Sequence, residues 1–129
     1  MEIVGLGVDL ADVARVRRLL DRYGDRFRVR CFTDGEWAYA HRFADPSARL
    51  AARFAAKEAV MKSLGTGWRR VRWTDVEILS GGGPPRVVLF GTALERASLL
   101  GVVEVKISIT HTDHQALVFA VALAEHPPG

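Results

Sequence analysis

Two acids, one lysine and one histidine stand in settings that suggest chemistry. Asp9 closes the apolar run Ile3–Val8, just ahead of a helical pattern. A carboxylate leaving a strand suits a hard cation, because the strand fixes it and the loop leaves it open. The same position suits capping of the helix that follows. Gly5 and Gly7 within the run imply close approach of another backbone or of a ligand. Glu58 lies in Arg53-Phe54-Ala55-Ala56-Lys57-Glu58-Ala59-Val60-Met61-Lys62, on the flank of an apolar stripe and between the small residues Ala51 and Ala55. Lys62, four positions on, shares its face. The pair reads either as a salt bridge of about 0.3–0.5 kcal/mol or as an acid for a metal and a cation for a phosphate. Gly65 and Gly67 of Leu64-Gly65-Thr66-Gly67 would then add open backbone amides. They follow the helix, whereas the glycines of a Walker loop precede theirs. His111 sits among the hydroxyls of Ser108, Thr110 and Thr112, as a turn histidine or as part of a phosphate-contact surface. His41, His114 and His126 have no comparable setting. The sequence has no Cys/His metal spacing, and chain order alone assigns no Ser-His-Asp arrangement.

These residues belong to a chain of 129 residues, a length that predicts a single domain over 1–129. Its 49% hydrophobic and 26% charged residues exclude wholesale disorder. No apolar run approaches the roughly 20 residues needed to span a bilayer. The first residues carry Glu2 and Asp9 and no base ahead of the apolar stretch, which does not read as a secretory signal. Cys31 is the only cysteine, so no internal disulfide forms and a reducing cytoplasm is expected. Charge is unevenly placed: residues 1–72 hold 15 of the 18 bases and 9 of the 15 acids. Seven arginines fall between Arg15 and Arg30 against Asp21 and Asp25. Such a cluster suits an anionic partner or simply solvates a helix face. A basic, non-catalytic binding module for nucleic acid or another anion is therefore one reading. Aromatic residues are not interleaved with the arginines as a base-stacking surface requires.

The elements that must position these groups follow from period and punctuation. Residues 2–8 read as a buried strand. Val13, Val16, Leu19, Leu20, Tyr23 and Phe27 keep helical spacing, with Asp12 to cap that helix and Gly24 to end it. Thr33-Asp34-Gly35-Glu36 has the form of a capping box ahead of a short helix through Tyr39. A long Ala-rich helix is predicted from Arg49 to Leu64, with Ser47 as cap, Gly65 as stop and Leu50, Phe54, Met61 and Leu64 as its core stripe. Strands follow at Arg72–Leu79 and Arg86–Phe90, then a helix near Thr92–Leu100. Val103–Thr110 and Gln115–Ala124 form a terminal antiparallel hairpin. Loops are expected at Asp45-Pro46, at Gly81-Gly82-Gly83-Pro84-Pro85 and in the tail His126-Pro127-Pro128-Gly129. This order is α+β, not a doubly wound parallel sheet.

In combination, the motifs resemble the holo-(acyl-carrier-protein) synthase family, the small trimeric group of 4′-phosphopantetheinyl transferases. The residues that carry the resemblance are Gly5-Leu6-Gly7-Val8-Asp9-Leu10 with Arg15, Phe32-Thr33 with Glu36, Arg53-Phe54-Ala55-Ala56-Lys57-Glu58-Ala59 with Lys62, Leu64-Gly65-Thr66-Gly67, and Ser108-Ile109-Thr110-His111-Thr112. They keep the family's order over nearly the whole chain. One departure is Gly83-Pro84-Pro85-Arg86, where the family commonly has a basic residue in place of Pro84. Arg86 stands two positions later.

The resemblance implies an antiparallel sheet wrapped with a long central helix. It also implies transfer of 4′-phosphopantetheine from coenzyme A to a serine of apo acyl carrier protein, leaving 3′,5′-ADP. Asp9 and Glu58 would hold Mg²⁺ against the pyrophosphate, in keeping with the one or two carboxylates that magnesium takes beside phosphate oxygens. Lys62 and the Gly65–Gly67 backbone would support the phosphates, completing the catalytic set Asp9, Glu58 and Lys62. Arg53, Ser108, Thr110 and His111 would line the nucleotide pocket. A metal-held water or Glu58 would take the serine proton. Members of this size are homotrimers with sites between subunits, and His111 would face across that boundary. Arg15, Arg18 and Arg22, at i, i+3 and i+7, would dock the acidic carrier on a face away from Val16, Leu19 and Tyr23. Neither nucleic acid nor membrane is an expected partner.

Overall fold

The computed structural model describes residues 1–67 and 69–125, so the predicted tail loop lies outside the described residues. Its elements are β1 (Glu2–Asp12), α1 (Val13–Tyr23), α2 (Asp25–Cys31), α3 (Asp34–Ala40), α4 (Pro46–Ser63), a short 3-10 turn (Trp73–Asp75), β2 (Val76–Leu79), β3 (Arg86–Leu89), α5 (Gly91–Leu100), β4 (Val102–His111) and β5 (Gln115–Ala124). The α+β class holds, with one helix more than expected. Gly24, at φ +53°, ends α1 as predicted, but the chain re-enters a helix at once. Phe27 therefore reaches the core from α2.

β5 is the centre of a three-stranded antiparallel sheet in the order β1-β5-β4, and β2 and β3 form a separate hairpin. One face of the larger sheet is lined by Gly7 and Ala11 of β1 and by Ala116, Val118, Ala120 and Ala122 of β5, all buried under α4. Small residues on both partners let the helix lie close to the strands. Gly5 and Gly7 are where it comes closest: a Cβ on Gly5 would run into the carbonyl oxygen of Ser63, and one on Gly7 into that of Ala59. The expected close approach is thus helix backbone. Gly7→Ala should lower stability by about 3 kcal/mol through overpacking against an unyielding main chain, read as a drop in Tm by calorimetry; an unchanged Tm would show that α4 can move away.

α4 is buried almost all round, well beyond the predicted stripe of Leu50, Phe54, Met61 and Leu64. Its cap is Asp45, whose Oδ1 accepts the Ser47 N–H at 3.0 Å, with Pro46 in the first turn. Ser47 is buried inside the helix, so it is not the cap. The capping box of α3 forms as predicted: Thr33 Oγ1 accepts the Glu36 N–H at 3.2 Å and Glu36 Oε1 accepts the Thr33 N–H at 2.8 Å. Glu36 goes further, accepting from Lys57 Nζ at 2.5 Å and from the Ile78 N–H at 2.9 Å. Both side chains of the Glu36–Lys57 pair are fully buried. This pair ties α3, α4 and β2 together.

Candidate functional site

β1 extends to Asp12, so Asp9 lies within the strand, opposite Val118, and not at its end. Asp9 caps nothing. Asp12 makes no side-chain cap either and instead accepts from Gln115 Nε2 at 2.9 Å. Asp9 continues the row of Gly5 and Gly7 on the α4 side. The glycine contacts bring the helix down to it.

Three groups meet there. Asp9 and Glu58 are near enough for their charges to act on each other, and Lys62 Nζ donates to Asp9 Oδ1 at 3.0 Å and to the Val8 carbonyl at 3.1 Å. The expected Glu58–Lys62 salt bridge is replaced by Lys62–Asp9 across the helix–strand contact. The strand offers the ammonium two acceptors, where the helix face offers one. Burial pushes Glu58 up to about 7; the neighbouring Asp9 carboxylate pushes the same way, and Lys62 and Arg15 oppose them.

An acid whose folded-state pKa exceeds its ordinary 4.5 holds its proton in the native state over that interval. Stability contributed by Glu58 is therefore full below about 4.5, declines as pH rises towards about 7, and then stays level. Glu58→Gln should abolish that decline in a Tm-against-pH series taken without divalent cations. A variant that keeps the wild-type slope would assign it to another group.

Beside Glu58, α1, α2 and α4 enclose a cavity of about 430 Å³. Its walls carry Arg15, Arg26 and Arg30, and Phe27, Phe54 and Trp73 lie beneath, with Phe54 and Trp73 stacked at 4.7 Å. Chain order reveals the arginine cluster but not that Arg26 and Arg30 line the same cavity as Glu58. Arg15 lines the same cavity. Arg18 and Arg22 stand outside it, sharing a shallower groove with Leu19 and Tyr23. Tyr23 is 42% exposed with Arg22 over its ring at 5.3 Å, so it belongs to the arginine face and not to the core stripe. Cys31, also lining the cavity, is buried and its thiol is pushed up to about 11 by burial, which keeps it protonated and inert.

Arg53 is buried at 3% exposure and aimed elsewhere. It donates to Ser80 Oγ, at the start of the glycine-rich loop, and lies over the Tyr39 ring at 4.2 Å. Burial lowers its pKa. Gly65, at φ +68°, reverses the chain after α4 as expected, but its N–H is taken by the Lys62 carbonyl and the Thr66 N–H by that of Met61, so these two amides are not the open donors the sequence suggested. Sequence reasoning misses Arg96 of α5, whose Nε donates to the Leu64 carbonyl at 2.9 Å and pins this turn. Nothing in its helical surroundings signals that reach.

β4 divides the remaining candidates between two faces. His111 pairs with Ala116 and Ile109 with Val118, on the α4 side. From strand spacing and rise, His111 lies about 12 Å from Asp9 across β5. Ser108 and Thr110 pair with Phe119 and Leu117 on the opposite face. Within one chain they are separated from Asp9 by the sheet.

The acids fit a magnesium ion by donor chemistry: two hard carboxylates whose charges act on each other, and too few to form an all-protein cage. Among the described residues, no group of three or more His, Cys, Asp and Glu side chains gathers anywhere.

The model of the 4′-phosphopantetheinyl transferase superfamily matches residues 5–121. A holo-(acyl-carrier-protein) synthase of Solibacter usitatus is 54% identical over 112 residues, covering 85% of this chain and 90% of the relative. One from Anaeromyxobacter dehalogenans is 45% identical over 124 residues, 94% of this chain and 95% of the relative. Among solved structures, the Neisseria meningitidis synthase superposes with a TM-score of 0.86 at 31% identity, covering 95% of this chain and 99% of that one. A Bacillus anthracis synthase in complex with coenzyme A (3′,5′-ADP) superposes at 0.77 with 28% identity, covering 95% and 98%. With the family's motifs in place and its fold reproduced, this chain belongs to the 4′-phosphopantetheinyl transferase superfamily, among the holo-(acyl-carrier-protein) synthases.

Proposed function

We propose that the chain transfers 4′-phosphopantetheine from coenzyme A to a serine of an apo acyl carrier protein, in a magnesium-dependent homotrimer working in the cytoplasm. The observation that carries the reading is the Asp9–Glu58 pair held against Lys62 between β1 and α4. The serine oxygen attacks the pantetheine-bearing phosphorus, the bond to the bridging oxygen breaks, and 3′,5′-ADP leaves as the serine proton is lost. Bound Mg²⁺ would neutralise charge building on the pyrophosphate. Asp9 and Glu58 would hold it, and Lys62 with the Gly65–Gly67 turn would face the phosphates. Arg53 would act through the loop at Ser80, and His111 would contact the nucleotide. A binder of nucleic-acid backbone gains nothing from two acids at its centre.

An assembly is supported by the sheet face away from α4. Leu6, Val8 and Leu10 of β1 and Leu117 and Phe119 of β5 are each between 41% and 57% exposed. They share rows: Val8, Phe119 and Ser108 form one, and Leu10, Leu117 and Thr110 the next. An apolar area of this extent is uncommon on a monomer. Covering it with a neighbouring chain would carry Ser108 and Thr110 to that neighbour's boundary, where they could meet a nucleotide that their own acids cannot share with them.

Mass spectrometry of an apo carrier after incubation with the protein, coenzyme A and Mg²⁺ should show addition of phosphopantetheine. Failure with several carriers would remove the reading. Carrier docking is assigned to Arg15, Arg18 and Arg22, which are all exposed. Reversing Arg15 and Arg22 to Glu should raise the carrier KM at least tenfold and flatten its salt dependence, since exposed charges act on encounter and are screened over about 8 Å. Equal losses for both substrates would place these arginines at the nucleotide; no change would make them a solvated helix face.

A further inference from the structure

Lys62 occupies a position that the phosphate role alone does not explain. Its ammonium lies between the Val8 carbonyl and Asp9 Oδ1, at 3.1 and 3.0 Å. A backbone carbonyl and a carboxylate are the hard oxygen donors that a divalent cation also seeks. The Lys62 side chain is 52% exposed and that of Asp9 only 12%, so one partner is fixed and the other is free to leave. Asp9 is held in mid-strand by the β1–β5 pairing, whereas Lys62 has a flexible four-carbon stem at the open end of α4. An ammonium and a divalent cation cannot both sit against one carboxylate oxygen without strong repulsion.

We propose that Lys62 is an exchangeable counter-charge for Asp9. Its ammonium competes with the divalent cation for Oδ1, and its displacement frees that positive charge to meet the coenzyme A phosphates. The inference rests on the cation reading of Asp9 and Glu58 given above. Its consequence runs against intuition. A residue that aids turnover weakens the enzyme's affinity for its own cation, and cation loading and phosphate capture become coupled through one side chain. Arg15 is the natural control, because its charge also reaches Glu58 but it stands on α1.

The test is calorimetric titration of Mg²⁺ alone into the full chain, with no coenzyme A present. Lys62→Met should bind Mg²⁺ about fivefold more tightly, the size of one exposed ion pair relieved. Lys62→Arg should stay near wild type, and Arg15→Met should gain clearly less than Lys62→Met. In the wild type, the Lys62 side-chain NMR resonance should move on saturation with Mg²⁺. Measurable wild-type binding that Lys62→Met leaves unchanged or weakens would overturn the exchange while the cation site stands. Equal gains in the Lys62 and Arg15 variants would overturn it too, in favour of a general field effect, as would a Lys62 resonance that stays still while Mg²⁺ binds. Wild-type protein that binds no Mg²⁺, or binds it equally after Asp9→Asn, would remove the cation reading itself and the proposal with it.

Discussion

Replacing Glu58 or Asp9 by alanine should lower kcat by about a thousandfold, the scale at which a preorganised electrostatic contact is lost from a transition state. Neither change should destabilise the fold. Glu58 is half-buried with its carboxyl pushed up to about 7, so its ionised form is a strained guest that the fold does not need. Asp9→Ala leaves Lys62 without its carboxylate but with the Val8 carbonyl still in reach. The measurement is steady-state turnover beside a thermal scan. Near-normal turnover at saturating Mg²⁺ would falsify the assigned pair, and a collapse of Tm would make the acids structural. The same variant tests the shared site: Asp9→Ala chains mixed with His111→Ala chains should recover part of the activity if each residue serves a different side of one interface. Proven subunit exchange without recovery would put both residues in one chain's share.

Lys57→Met should be strongly destabilising, because it leaves a buried acid without its partner. Glu36 is left fully buried with the N–H groups of Thr33 and Ile78 but without its ion-paired cation. Removing one partner of a buried pair costs about 3–5 kcal/mol, or about 10–20 °C in Tm for a domain of this size. Glu36→Gln combined with Lys57→Met removes both charges and keeps an acceptor for one of the two backbone N–H groups, with the amide NH2 facing the other, so it should regain part of the loss. Calorimetry of the two singles and the double gives the coupling. A double variant no more stable than Lys57→Met would assign the effect to lost packing of the lysine stem.

Membership of α+β, the long central helix, the α3 capping box and the terminal hairpin were legible because each rests on local rules: period, punctuation and cap chemistry within a few residues. The hairpin formed with the predicted Gln115–Ala124 strand, and its partner gained a residue at either end. The division of Val13–Phe27 into α1 and α2 was not legible, since a positive-φ glycine can stop a helix or turn it, and the apolar spacing runs on across the break. The cap of α4 was misplaced by two residues for a related reason: Asp45 and Ser47 are both good caps, and Pro46 between them decides for Asp45 because it suits the first helical turn.

Sequence by itself singled out Asp9, Glu58 and Lys62 as candidates, by type, by surrounding small residues and by the family resemblance. Tertiary structure alone decided how they pair. Lys62 turns from Glu58 to Asp9 because two glycines let the strand backbone come against α4, a contact between residues more than fifty positions apart. It also decided that Ser108 and Thr110 lie through the sheet from Asp9, that Arg26 and Arg30 line the cavity beside Glu58, and that Arg96 reaches the Leu64 carbonyl. Alternation along a strand says that neighbours point opposite ways, but which way is inward depends on where the helix packs. That packing is a property of the whole chain.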